Sequence, residues 1–275
     1  IPELTVELIS TYNDQTASFA TPYGSFMRNF IVHTPPNFDY QTESLPLLFV
    51  LHGYTGRAPS MREYSGFDQI ADEERFIVVY VQGTTDQFGN TGWNVNVVAS
   101  FLGVDDVGFF KALIKYFKAS YNIDSNKIFS SGMSLGGFMS YRLACELEEI
   151  NSIGSVTGSM AGYYQCNPPK KSSIIHFHGM NDAVVPYNGV EWSYSAKAAH
   201  DFWKNHNQCN SQNEITIPDF NGDGEYTTRL ISYDCEDNKS VELYSLEGEG
   251  HTWWKKSWGH DINTSELIWQ FFQSQ

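Results

Sequence analysis

The sequence predicts an α/β chain: a doubly wound, mostly parallel sheet with helices on both faces, in a single domain spanning residues 1–275. Three observations carry this. Short apolar runs of strand length recur along the chain, stretches of helical periodicity separate them, and no repeat, low-complexity tract or Pro/Ser linker divides it. Strand and helix alternating in this way imply right-handed crossovers, and in such sheets the site forms at the carboxyl ends of the strands.

The elements follow in order. Residues 4–10 and 27–34 alternate apolar and polar side chains, as half-exposed antiparallel strands do. The pattern then changes to runs that are apolar throughout: PLLFVL at 46–51, FIVVYV at 76–81, KIFSS at 127–131, and the segments 153–157 and 173–178. Such runs read as strands buried on both faces of a parallel sheet. Helical patterns cover 61–74, 106–119, 135–149 and 190–205, with Asp105 or Asp106 able to cap the second. A last strand at 241–245 precedes a helix near 264–272.

A net charge of −15 argues against affinity for nucleic acid or anionic lipid. No apolar run approaches the roughly 20 residues that span a bilayer. The chain opens on Ile1-Pro2, as a mature protein does after losing a signal peptide; a trimmed chain would open in the same way. Cys145, Cys166, Cys209 and Cys235 contain no CxxC and have no nearby His at metal-ligand spacing. Three pairings are possible, or four buried thiols. The pairs Cys145–Cys166 and Cys209–Cys235 are favoured because each closes a short loop, and disulfides point to a secreted or periplasmic protein.

The chemistry begins at KIFSSGMSLGG, residues 127–137, where Gly132-x-Ser134-x-Gly136 follows a predicted strand and precedes a predicted helix. A serine on so sharp a turn stands proud of the sheet. Side chains two positions either side would collide with the turn, which explains the glycines. The helix behind it aims its N-terminal amides at developing negative charge. Ser134 is thus the expected nucleophile of an α/β-hydrolase fold. A Gly-rich turn with an incidental serine would carry the same letters without this context.

In that fold the triad runs Ser, then Asp, then His. His251, in GEGHTWW after the last strand, is the expected base. Of the eight histidines, His176 lies within a strand, and His52 and His178 precede a glycine at strand ends, where structural hydrogen bonds are expected. His33, His200, His206 and His260 read as surface or packing residues. Asp182, in HFHGMNDAVVPY, is the expected acid, fixing the histidine tautomer and stabilising the imidazolium. The alternative is a turn aspartate, since Asn-Asp after Gly is also turn chemistry.

An oxyanion needs two amides: Leu135, after the nucleophile, and Tyr54, after Leu51-His52-Gly53, with Thr55 as the alternative to Tyr54. Trp93, in the segment 83–103, is expected either to wall the pocket or to pack under its own loop. Trp253, Trp254 and Trp258, beside His251, are expected to stack against a substrate ring. Only residues 158–172 are available for a lid, too few for a large cap domain, so an open site suited to bulky or polymer-borne esters is expected.

Taken together, LHGYTG, DDVGF, GMSLGGFMSYRLACE, HFHGMNDAVVPY, GEGHTW and DINTSELIWQFF resemble the secreted esterase family that groups polyhydroxybutyrate depolymerase-like proteins with feruloyl and acetylxylan esterases. The match runs from about residue 28 to residue 272. The resemblance implies the triad Ser134, Asp182 and His251, needs no cofactor, and implies the Cys209–Cys235 bridge. Leu135 stands where many relatives carry Asn or Ala. Residues 1–275 show no counterpart of the linker and polymer-binding domain of the extracellular polyester depolymerases, so plant-wall phenolic or acetyl esters are expected over polyester or its oligomers.

DFNGDG at 219–224 matches half of a calcium loop, with Asp219, Asn221 and Asp223 as ligands. The bidentate position is Leu230, and the alternative is a polar hairpin turn. The expected activity is therefore ester hydrolysis through an acyl-enzyme by a monomer or weak oligomer. A peptidase or acyltransferase on the same scaffold, and a catalytically silent binding protein, are the competing readings.

Overall fold

The computed structural model describes residues 4–8, 14–21 and 24–275, and side chains from residue 28 onward. The strands are β1 (Leu4–Leu8), β2 (Asp14–Thr21), β3 (Gly24–His33), β4 (Leu45–Leu51), β5 (Ile77–Val81), the short ribbon β6 (Thr84–Thr85) and β7 (Thr91–Gly92), β8 (Ile123–Met133), β9 (Ser152–Val156), β10 (Ser173–Gly179), β11 (Ser211–Ile217), β12 (Thr227–Tyr233) and β13 (Val241–Leu246). All but the ribbon form one sheet, in the order β1-β2-β3-β5-β4-β8-β9-β10-β13-β12-β11. Its centre, from β5 through β13, is parallel. Antiparallel strands extend both edges. The expected strand at 4–10 is β1; residues 9 and 10 lie outside the described residues.

The helices are α1 (Ala58–Ser65), α2 (Phe67–Glu74), α3 (Asp106–Ser120), α4 (Leu135–Glu146), α5 (Ala196–His206) and α6 (Thr264–Gln273). They cover both faces, giving two cores. One gathers Phe110 and Phe117 of α3, Phe138 of α4 and Trp203 of α5. The other gathers Met61 of α1, Phe67 of α2, and Ile268 and Phe272 of α6. Strand β4 shows why its sequence is apolar throughout. Successive side chains point to opposite faces, so Leu47, Phe49 and Leu51 enter one core while Leu48 and Val50 enter the other.

Three segments differ from expectation for local reasons. The helix expected at 61–74 breaks at Gly66, whose φ of 70° ends α1 and opens α2. The helix expected from residue 190 starts six residues later, where the Ser195 hydroxyl accepts from the Ala198 amide. The edge strand β11 reads SQNEITI and is largely exposed, so it lacks the apolar signal of the central strands.

Asp105 caps α3 by accepting from the Gly108 amide, and Asp106 pairs with buried Arg28 at 2.8 Å while accepting from the Asn94 amide. The DDVGF motif thereby ties the 84–103 segment to the sheet. Both favoured disulfides are present: Cys145–Cys166 anchors the 157–172 segment to α4, and Cys209–Cys235 joins the end of α5 to the end of β12. No helix among the described residues is long and apolar enough to cross a membrane. Residues 157–172, between β9 and β10, contain no helix, and so no cap.

Candidate active site

Four loops meet at the carboxyl end of the parallel sheet. They leave β4, β8, β10 and β13, whose ends are held level by register: Leu51 opposite Gly132, Met133 opposite Val156, and Gly179 opposite Leu246. Each carries one of the residues singled out from sequence.

Ser134 links β8 to α4 with φ 54° and ψ −121°, a conformation that costs a non-glycine residue about 1–3 kcal/mol and is held only by its surroundings. Its amide donates to Val156 O at 2.8 Å. A Cβ on Gly132 would lie 2.5 Å from the Gly136 backbone, and one on Gly136 would lie 2.3 Å from Leu51 O. One on Gly158 would lie 2.4 Å from Ser134 O. Backbone packed this closely leaves no room for side chains there. The serine itself is half-buried, so solvent and small molecules reach it.

Asp182 and His251 come together across β10 and β13. His251 Nδ1 lies 2.7 Å from Asp182 Oδ2. A carboxylate oxygen only accepts, so Nδ1 carries a hydrogen, and in the uncharged ring that tautomer leaves the lone pair on Nε2. Asp182 Oδ1 accepts from the amides of Val184 at 2.8 Å and Val185 at 2.9 Å. Burial works to raise the Asp182 pKa. Hydrogen bonds from His178, His251 and the Val185 amide outweigh it and hold the carboxyl below the usual range. Tyr64 of α1 steadies the histidine loop: its hydroxyl accepts from the Trp253 amide and bonds Thr252 Oγ1, both at 3.0 Å.

The oxyanion candidates separate. The Thr55 amide donates to Thr91 O at 2.8 Å and is committed there. The Tyr54 amide has no partner among the described residues, nor does that of Leu135 at the first turn of α4. His52 braces the Tyr54 loop. Its Nδ1–H donates to Gly53 O at 2.7 Å, so its Nε2 accepts from the Gly83 amide at 2.9 Å.

The substrate-wall expectation is corrected. Trp93, Trp253 and Trp254 are all fully buried and belong to the cores. Trp93 packs under its own loop: its Nε1 donates to His52 O at 2.8 Å and its ring lies against His52 and Phe110. Trp253 turns its Nε1 to Ser265 Oγ. None presents a face to a ligand. Trp258 is the exposed member of that group, tilted over Tyr64.

The calcium motif is spent on its own turn. Asp219 accepts from the amides of Gly222 and Gly224, Asp223 accepts from that of Glu225, and Asn221 Nδ2 donates to Asp223 and to Gly259 O. No group of three or more His, Cys, Asp or Glu among the described residues is arranged to hold a metal ion.

One partner of the site went unassigned from sequence. His178 Nε2 lies 3.4 Å from the same Asp182 oxygen that His251 uses. The signal was present in the spacing: His178, near the end of β10, stands four residues before Asp182.

No family model matches the chain. It is similar to a bifunctional acetylxylan esterase/xylanase of Neocallimastix patriciarum, 26% identical over 82% of the chain. It is also similar to feruloyl esterase B of Piromyces equi, again 26% identical over 82% of the chain. The chain spans 31% of the first relative's length and 42% of the second's. An acetyl xylan esterase from Aspergillus awamori superposes with a TM-score of 0.63 at 15% identity, over 99% of this chain and 100% of that one. The chain has the α/β-hydrolase fold, and its homologues include proteins named feruloyl esterase and acetylxylan esterase.

Proposed function

We propose that the chain is a serine esterase that hydrolyses carboxylic esters through an acyl-enzyme, acting on feruloyl or acetyl esters of plant-wall polysaccharide. The observation that carries this is the His251–Asp182 pair at 2.7 Å, formed at the same edge of the sheet as the elbow that holds Ser134 at φ 54°. The substrate class is supported by the names of the relatives, an acetylxylan esterase/xylanase and a feruloyl esterase. The two disulfides support a secreted or periplasmic protein.

In this reading His251 Nε2 takes the Ser134 proton as Oγ attacks the ester carbonyl. Asp182 balances the imidazolium that forms. The Leu135 and Tyr54 amides receive the oxyanion, each such donor contributing roughly 10²–10³ in rate. The imidazolium then protonates the leaving alkoxide. Water, deprotonated by the same histidine, attacks the acyl-enzyme and releases the acid. The sign of charge at each step matches its surroundings: amides and a helix N-terminus face the oxyanion, and a carboxylate faces the imidazolium.

Ser134→Ala is expected to abolish turnover of p-nitrophenyl acetate and labelling by a fluorophosphonate probe. Retained turnover in that variant overturns the assignment. A panel of methyl ferulate, acetylated xylan and hydroxybutyrate oligomers tests the substrate class, with the first two expected to be hydrolysed faster.

A further inference from the structure

Behind Asp182 runs a buried line of polar side chains that the reaction scheme does not use. Tyr141 stands on α4, two helical turns beyond Ser134. Its hydroxyl lies 3.0 Å from His176 Nδ1. His176 Nε2 lies 3.0 Å from His178 Nδ1. His178 Nε2 lies 2.8 Å from Val185 O and 3.4 Å from Asp182 Oδ2. All three side chains are buried: Tyr141 is 1% exposed, and His176 and His178 are 0%.

The protons on this line can be placed from its far end. Val185 O and the carboxylate only accept, so His178 Nε2 carries a proton. With that as its one ring proton, His178 accepts at Nδ1, so His176 donates from Nε2, accepts at Nδ1, and takes the Tyr141 hydroxyl proton. Every group on the line is then satisfied, as buried polar groups should be. Burial, followed by the neighbouring His178 and His200, pushes the His176 pKa well below its ordinary value. In the same way burial pushes that of Tyr141 up. The line has one direction, and it ends on the acid.

We propose that His178 is a positioning residue for the reaction: its Nε2–H, with the tautomer fixed by His176 and Tyr141, bonds Val185 O at 2.8 Å and, more weakly at 3.4 Å, braces the Asp182 oxygen that orients His251. This rests on the esterase reading for its consequence in rate, but not for its geometry. Asp182 Oδ1 is fixed by two backbone amides, while Oδ2 faces two imidazoles. The second imidazole stops the carboxylate from turning about its Cβ–Cγ bond and draws some of its charge away from His251. Because Tyr141 and Ser134 share α4, the line also ties the nucleophile's helix to the acid.

A Gln side chain places its amide where an imidazole has Nε2, and an Asn side chain reaches only the Nδ1 position. His178→Asn is therefore expected to lower kcat for p-nitrophenyl acetate by about tenfold, the weight of one hydrogen bond to a charged group. KM should stay within about twofold, as expected for a positioning loss. His178→Gln should recover most of the rate. The low-field proton resonance of His251 Nδ1–H should move or broaden away in the Asn variant and return in the Gln variant. Equal losses in both variants, or an unmoved resonance in the Asn variant, overturn the proposal. If neither variant folds, nitrogen chemical shifts of the unmodified chain decide it: a proton on His178 Nε2 alone is expected, and a proton on Nδ1 overturns it. The resonance and the shifts do not depend on turnover, so they stand or fall separately from the Ser134→Ala test of the esterase reading.

Discussion

His251 Nδ1 and Asp182 Oδ2 lie 2.7 Å apart, and the other carboxylate oxygen is held by the amides of Val184 and Val185. The carboxylate therefore presents one acceptor to the imidazole, and it cannot present a donor. Asp182→Asn keeps the shape and removes that certainty. An amide that turns its NH₂ toward His251 forces the proton onto Nε2, the atom that accepts from Ser134 in the proposed mechanism. The expected loss in kcat is about 10⁴, read from p-nitrophenyl acetate hydrolysis. A loss below tenfold would point to a different acid.

Gly53 guards the space over Ser134. A Cβ there would stand 3.2 Å from Ser134 Cβ, 3.4 Å from Met133 O and 3.8 Å from Ser134 Oγ. Those contacts are tight but not impossible, and the strain falls on the elbow rather than on the core. Gly53→Ala is expected to fold, with a melting temperature close to the parent's, and to lose about tenfold or more in kcat/KM as the attacking oxygen shifts by tenths of an ångström. A variant with full activity would mean that the serine tolerates such displacement.

The central sheet was legible because strands buried on both faces are apolar at every position, as Leu47–Leu51 shows by feeding two cores at once. The elbow was legible because Gly132 and Gly136 are demanded by backbone contact. Asp182 and His251 were singled out by their order along the chain, and the two side chains pair at 2.7 Å. What sequence withheld was mostly tertiary. Strand β11 is exposed and polar, so nothing in its letters marks an edge strand. Tryptophans in loops near a site look like walls until the loop is seen to fold over them. His178 looked like a strand-end histidine because its second acceptor, Asp182, is reached only after the turn closes.

Trp93 tests that correction directly. It is wholly buried, with its indole N–H donating to His52 O and its ring against Phe110. Trp93→Phe removes the hydrogen bond and leaves a cavity beside His52, and is expected to cost about 2–4 kcal/mol in unfolding free energy. KM for a methyl ferulate substrate should change by less than about threefold, since the ring is wholly buried. A large KM effect with unchanged stability would restore it as a pocket wall.

His52 should make the fold acid-sensitive. Burial holds its pKa down at about 4, below the ordinary value of 6.5, with the Gly53 carbonyl only partly opposing. The neutral ring is locked between Gly53 O and the Gly83 amide, whereas the unfolded chain takes up a proton near pH 6.5. Below that pH the unfolded state binds the extra proton and the native state does not, so stability falls as pH falls, until about pH 4, where the native ring protonates as well. The loss attributable to this one ring between pH 7 and pH 5 is about 2 kcal/mol. Urea unfolding at the two pH values measures it in the parent and in His52→Gln, which cannot titrate. The parent should lose about 2 kcal/mol more than the variant over that interval, and equal losses would show that the ring is already free to protonate in the native state.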